Sequence, residues 1–231
     1  MKYQAIIFDL FGTLVDIFSR REYESIVAEM ASHLKIPYDD FYEIWMQLAN
    51  KRTTGVFRNS EEHIEYICRE LKVKVSASQI EAARRARFDY VARALKPRKD
   101  AIETLTQLQS DGFKIGLISN CSTEPPLIWP DTPFAPFFDV TIFSSTAGML
   151  KPDQRLFRMA IEQLKVTPQQ CLYIGDGSSE ELGAAANVGM TPVLIRAPYE
   201  DGADALRPDD SKEVFTGTCI SSLKEVLNLV K

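Results

Sequence analysis

Asp9, Ser119, Asn120, Lys151 and Asp176 are the residues of this 231-residue chain whose types and settings point most directly to chemistry. Asp9 closes the apolar run Ala5-Ile6-Ile7-Phe8, and Gly12-Thr13 follow at once, where the chain can turn sharply. A carboxylate delivered this way can attack an electrophile or bind a cation. The hydroxyl of Ser119 and the amide of Asn120 can hold the oxygens of a reacting group, and Lys151, ahead of Pro152-Asp153, can offset negative charge. Asp176, within Gly175-Asp176-Gly177, supplies a second carboxylate able to share a cation with the first. Each residue also has a plainer role as a cap, a turn former or a solvated lysine. Their joint occurrence in this order favours the chemical reading.

Four of these groups must be positioned by the ends of strands. Residues 5–8 read as a short strand covered on both faces, as in a parallel sheet. Further apolar runs at 114–119, 138–144, 171–174 and 191–195 alternate with helical stretches at 99–110, 152–164 and 178–188. Pro152 falls near the first turn of its helix, where a missing N–H does no harm. This alternation predicts βαβ units, an α/β fold with a Rossmann-like parallel sheet. Ligands of such sheets bind at the carboxyl ends of the strands, which places the five residues on one rim.

Residues 20–94 change character and read almost wholly as helix. Tyr23, Ile26, Val27, Met30 and Leu34 share one helical face, and Pro37 ends that segment. A second helix spans 38–49, and 51–59 is a polar turn around Gly55. Ser60 caps a third helix to 71, and a fourth runs over 76–94. The division expected is an α/β core of residues 1–16 and 96–231, with 17–95 as an all-helical domain over the sheet's carboxyl edge. Residues 197–213 read as a surface loop.

A net charge of −5 argues against nucleic acid as a partner. Four widely separated cysteines fit reduced thiols rather than disulfides or zinc. The two histidines, His33 and His63, fall in helical sequence and are expected on the surface, which leaves His-based nucleophilic catalysis few candidates. With no signal stretch and no apolar run near ~18 residues, the expectation is a soluble, cytoplasmic protein without a membrane partner. The expected partner is a small anionic substrate; the oligomeric state is left open.

Asp9-Leu10-Phe11-Gly12-Thr13, Ser119-Asn120, Lys151-Pro152 and Gly175-Asp176-Gly177 with Glu181 resemble the four motifs of the haloacid dehalogenase superfamily, and the helical insertion resembles its cap. The resemblance implies that Asp9 is a nucleophile forming a covalent ester that water hydrolyses. Ser119 and the Asn120 backbone would hold the transferring group, and Lys151 would neutralise charge. Asp9, the Phe11 carbonyl and Asp176 would bind Mg²⁺, with Glu181 acting on a metal-bound water. Gly12 and Thr13, in the first motif, would lie beside the substrate. An anionic carboxylate approaches a phosphate only if cations offset the repulsion, and oxygen-only ligands suit Mg²⁺ better than zinc.

Phe11 departs from the phosphatases of that superfamily, which carry a second aspartate there to protonate the leaving alcohol. Halide needs no proton, and the dehalogenases have an aromatic residue at this point. Asp176 points the other way, because the dehalogenases work without metal, and Met46 stands where their substrate-gripping arginine is expected. The preferred reading is a Mg²⁺-dependent phosphohydrolase lacking its general acid, acting best on acyl or aryl phosphates. A metal-independent haloacid dehalogenase and a weakly catalytic binding protein are the alternatives. In the cap, Arg52 and Arg58, flanking Gly55, are candidates for touching an anionic substrate. The run Arg84, Arg85, Arg87, Arg93, Lys96, Arg98 and Lys99 reads as a solvated face and linker, Trp45 and Trp129 as packing residues, and Cys121 as a structural thiol.

Overall fold

The computed structural model describes residues 2–200, 202–206 and 215–231. Its centre is β1 (Ala5–Phe8), every residue of which is buried. Ile6 and Phe8 face one apolar core, while Ala5 and Ile7 face another, as the two-residue repeat of a strand requires. β1 pairs in parallel with β2 (Lys114–Ser119) on one side and with β4 (Cys171–Gly175) on the other. β3 (Val140–Phe143), β5 (Thr191–Ile195) and β6 (Thr218–Ile220) complete a parallel sheet of order β3-β2-β1-β4-β5-β6. The strand order reverses between β1 and β4, and a crevice opens at such a switch point. Asp9 and Asp176 are the residues that follow those two strands.

Five helices intervene between β1 and the rest of the sheet: α1 (Arg20–Leu34), α2 (Tyr38–Gln47), α3 (Ala49–Thr53), α4 (Ser60–Glu70) and α5 (Ala77–Ala94). The Ser19 side chain caps α1, and Ser76 with Gln79 forms a capping box at the start of α5. Their apolar faces join the same core as Ile6 and Phe8. In the remainder, α6 (Ala101–Ser110) and α11 (Val226–Leu229) pack on that face of the sheet, and α9 (Gln154–Leu164) and α10 (Glu181–Asn187) on the opposite one. Short helices α7 (Glu124–Ile128) and α8 (Ser144–Ala147) follow β2 and β3.

Several sequence expectations change. The polar turn opens with α3, since Ala49 to Thr53 still close helical hydrogen bonds. The N-cap of α4 is Asn59, whose Oδ1 accepts from the Glu62 amide, and Ser60 is its first residue. α9 begins at Gln154 with Asp153 as its cap, so Pro152 lies outside the first turn. β6 was not expected; at three residues, two of them exposed, it carries too little apolar pattern to read from sequence. Within the expected loop at 197–213, residues 201 and 207–213 lie outside the described residues. Leu206 N donates to Phe18 O and the Ser19 hydroxyl to Asp204, so the described part is tied to the start of α1.

His63 is buried rather than on the surface, stacked between Trp45 and Phe57. Arg87 and Arg98 are likewise buried and paired with acids, so the basic run is not solvated throughout. Trp45 and Trp129 are packing residues, as expected. Among the described residues no helix is long and apolar enough to cross a membrane.

Candidate active site

The backbone turns immediately after β1. Asp9 N still donates to Ile174 O of β4 at 2.9 Å, and then Thr13, Leu14 and Val15 all direct their amides at Leu10 O. Gly12 makes this turn possible with φ +85°, and a Cβ there would collide with the Asp176 carboxylate. The turn folds Thr13 back so that its hydroxyl donates to Asp9 Oδ2 at 3.0 Å. Thr13, expected beside the substrate, is therefore engaged in orienting Asp9.

The other Asp9 oxygen meets Lys151, whose Nζ donates to Asp9 Oδ1 at 2.5 Å and to Glu181 Oε2 at 2.6 Å. The same ammonium reaches Ile118 O at 3.2 Å. Asn120 sets the lysine's backbone: its Nδ2 donates to Lys151 O at 3.2 Å and its Oδ1 accepts from Lys151 N at 2.8 Å. The Asn120 side chain is thus committed to positioning Lys151, which leaves its backbone for the role anticipated. Ser119 Oγ is buried with no hydrogen-bond partner. A buried hydroxyl left idle costs stability, and here it stands at the carboxyl end of β2, on the rim shared with Asp9.

Glu181 was expected to act on water. Its Oε2 also accepts from the Tyr173 hydroxyl at 2.8 Å, and Oε1 accepts from Gly177 N at 3.0 Å. Tyr173 was missed from sequence; its signal is a hydroxyl in the otherwise apolar strand three residues before Asp176. Asp176 is fully buried, with Oδ1 accepting from Ser178 N at 2.9 Å and Oδ2 lying 3.7 Å from Arg196 Nη1.

Carboxylate oxygens of Asp9, Asp176 and Glu181 all lie within 4.8 Å of one another. Three buried acids face one buried ammonium, with the Arg196 guanidinium at the edge. Burial pushes the Asp9 carboxyl up; Lys151 opposes that rise and Asp176 adds to it. Burial likewise takes Glu181 up to about 8 against the pull of Lys151. Lys151 is held above its ordinary value, because Asp9 and Glu181 outweigh the cost of burying its charge. An all-oxygen, acid-rich cluster whose members resist joint ionisation fits a hard divalent cation.

The predicted cap residues divide. Arg52 is buried and borders a cavity next to Phe11 and Asn120. Arg58 is exposed, pairs with Glu62 at 3.2 Å and does not border that cavity, so the structure does not bring it together with Arg52 there. A charged residue in a helix-flanking loop gains more from a neighbouring acid and water than from burial. Arg87, missed in the basic run, borders the cavity instead; it lies four residues from both Ala83 and Val91, on the buried stripe of α5. Cys121 is a buried thiol that burial pushes up to about 12, which disfavours a thiolate and suits a structural role.

Residues 3–189 match the family described as haloacid dehalogenase-like hydrolase. The glyceraldehyde 3-phosphate phosphatase of Methanopyrus kandleri is 29% identical over 177 residues, covering 75% of this chain and 73% of that protein. The ribulose-1,5-bisphosphate 5-phosphatase of Halopiger xanaduensis is 25% identical, with 98% of each chain covered. The crystal structure of a 2-haloacid dehalogenase from Pseudomonas syringae superposes with a TM-score of 0.68 at 20% identity, covering 99% of this chain and 98% of that one. One fold thus carries both chemistries, and the site must decide between them.

Proposed function

From the premise that this chain belongs to the haloacid dehalogenase-like hydrolase family, and is a hydrolase, we propose that it is a Mg²⁺-dependent phosphatase of small phosphorylated metabolites, phosphorylated sugars foremost. The observation that carries this reading is the cluster of Asp9, Asp176 and Glu181 around Lys151. A metal-independent dehalogenase has no evident use for the second of these acids, Asp176. The relatives named as phosphatases of phosphorylated sugars support the same choice.

Asp9 is the nucleophile. One of its oxygens forms a bond to phosphorus while the bond from phosphorus to the leaving alkoxide breaks, giving an aspartyl-phosphate; water then takes the phosphoryl group and regenerates Asp9. Thr13 and Lys151 hold the two Asp9 oxygens in place. The idle Ser119 hydroxyl and the Asn120 backbone N–H receive the non-bridging oxygens. Asp9, Asp176 and the Phe11 carbonyl would hold Mg²⁺ with Glu181 beside them, and the ion, when bound, offsets the repulsion between carboxylate and phosphate.

Phe11 supplies no proton to the leaving alkoxide, so that proton comes from solvent, and sugar phosphates turn over more slowly than acyl or aryl phosphates, whose leaving groups need none. Residues 17–95 act as a cap that closes the carboxyl edge of the sheet. The four free cysteines, three of them buried, suit a reducing, cytoplasmic compartment.

A panel of p-nitrophenyl phosphate, acetyl phosphate, glyceraldehyde 3-phosphate and L-2-chloropropionate, each with and without Mg²⁺, tests the proposal. Metal-dependent phosphate release is expected. Metal-independent chloride release would replace it with a dehalogenase, and silence throughout with a binding protein.

A further inference from the structure

Beyond Phe11, on the side of the inserted helices, lies a cavity of about 90 Å³, bordered by Phe11, Phe18, Arg52, Arg87, Val91 and Asn120 among others. That is more space than one water needs, enough for a fragment of a few heavy atoms. The rings of Phe11 and Phe18 stack at 4.5 Å and form one apolar wall.

The opposite wall is charged. Arg52 donates to Trp45 O at 2.9 Å and to the Tyr23 hydroxyl at 3.2 Å, with its guanidinium 4.1 Å from the Trp45 ring centre. All of these partners are neutral groups. Arg87, 4% exposed, keeps Nε and Nη1 buried with no hydrogen-bond partner. Its one acid is Glu124, 3.7 Å away, and the nearer Glu124 oxygen already accepts from the Ser60 hydroxyl at 2.7 Å. His63 adds no compensating charge, and burial with the two arginines keeps it unprotonated. Arg87 also lies 5.2 Å from the Tyr23 ring centre and 5.7 Å from those of Trp45 and Tyr90, so among the described residues two buried cations face aromatic rings and a single buried carboxylate. Ring faces offset charge but accept no N–H in the plane of the guanidinium, and orphaned guanidinium donors beside a cavity are arranged to receive an anion.

We infer that Arg52 and Arg87 form a subsite for a second anionic group, a carboxylate or a second phosphate, on the departing part of the substrate. This rests on the phosphatase reading above, which places the reacting phosphate at Asp9, two residues before Phe11, while Phe11 and Asn120 border the cavity and Asp9 does not. The Phe11–Phe18 wall packs against the carbon chain joining the two anions. Recognition by paired arginines rejects a neutral analogue, because their donors are then left unpaired.

Three substrates test this: phosphoglycolate, ethylene glycol bisphosphate and the neutral-tailed ethyl phosphate. The value of kcat/KM is expected to be roughly 10- to 100-fold higher for at least one anionic-tailed ester than for ethyl phosphate, and which one leads identifies the second anion. In Arg87→Met that preference collapses toward unity, and in Arg87→Lys part of it returns. Equal kcat/KM for all three in the unsubstituted enzyme, or an unchanged preference in Arg87→Met, overturns the inference. Should Arg87→Met fail to fold, titration of the tryptophan fluorescence of the unsubstituted protein gives the answer without turnover, since Trp45 lies against Arg52. Half-saturation at least about tenfold lower for an anionic-tailed ester supports the subsite, and equal half-saturation removes it. Selective binding with no phosphate release from any ester, p-nitrophenyl phosphate included, sinks the phosphatase reading while the anion subsite stands.

Discussion

Lys151 Nζ lies 2.5 Å from Asp9 Oδ1, although 142 residues separate the two in sequence. The contact exists because β1 and β2 are neighbours and Asn120, at the end of β2, pins the Lys151 backbone. It holds the proposed nucleophile in one orientation and keeps a positive charge where a phosphate would arrive. The first two predictions concern this pair and its surroundings.

Replacing Asp9 by Asn keeps the shape of the side chain and removes the attacking carboxylate. Turnover of a substrate identified by the panel is expected to fall by on the order of 10³-fold or more, with the circular dichroism spectrum unchanged. Retained turnover would show that another group attacks.

Phe11→Asp places a carboxyl two residues after the nucleophile, where a proton donor to the leaving group would stand. Alkyl phosphates need that proton more than aryl phosphates do. The ratio of kcat for an alkyl phosphate to that for p-nitrophenyl phosphate is expected to rise by ~10²-fold, within the range of general acid catalysis. A ratio that does not move would mean that leaving-group protonation is not what Phe11 forgoes.

The acid cluster sets a pH dependence. Glu181 is raised by burial from 4.5 to about 8, and a carboxyl so raised stabilises the fold in its protonated form. Its contribution is complete below pH 4.5 and is lost as pH rises through about 8. In the presence of a chelator, Tm is expected to fall between pH 6.5 and 8.5. Mg²⁺ should raise Tm, and by more at the upper end of that range, because deprotonated ligands bind metal better. Differential scanning calorimetry would contradict this if the Mg²⁺ increment were the same at both ends.

His63 has the opposite sign. Its ring lies 4.7 Å from that of Trp45 and 4.6 Å from that of Phe57, and neither nitrogen has a partner. Burial first, and then Arg52 and Arg87, push it from 6.5 down to about 2. Its contribution is complete above pH 6.5 and drains away as pH falls toward 2, at up to about 1.4 kcal/mol per pH unit. His63→Phe keeps the stacked ring without the titration. Urea denaturation at pH 6.5, 5 and 4 is expected to show a shallower loss of stability in the variant, and parallel pH slopes would refute the assignment.

The sequence by itself determined the sheet and most of its rim. Asp9, Ser119, Asn120 and Asp176 each sit at or just beyond an apolar strand, and a parallel sheet brings such ends to one edge whatever the intervening chain does. Lys151 and Glu181 were legible through the motif resemblance. The tertiary structure alone decided which charged residues of the helical insertion turn inward. In sequence Arg58 reads as a substrate contact and Arg87 as solvated, yet Arg58 stays in water while Arg87 lies at helical spacing from Ala83 and Val91, against Glu124 at the start of the distant α7. His63 was hidden for the same reason, since its burial depends on rings from two other segments. A strand's buried pattern repeats every second residue and is local, whereas the fate of a charge on a helix depends on what packs against it, and that partner is fixed only when the chain has folded.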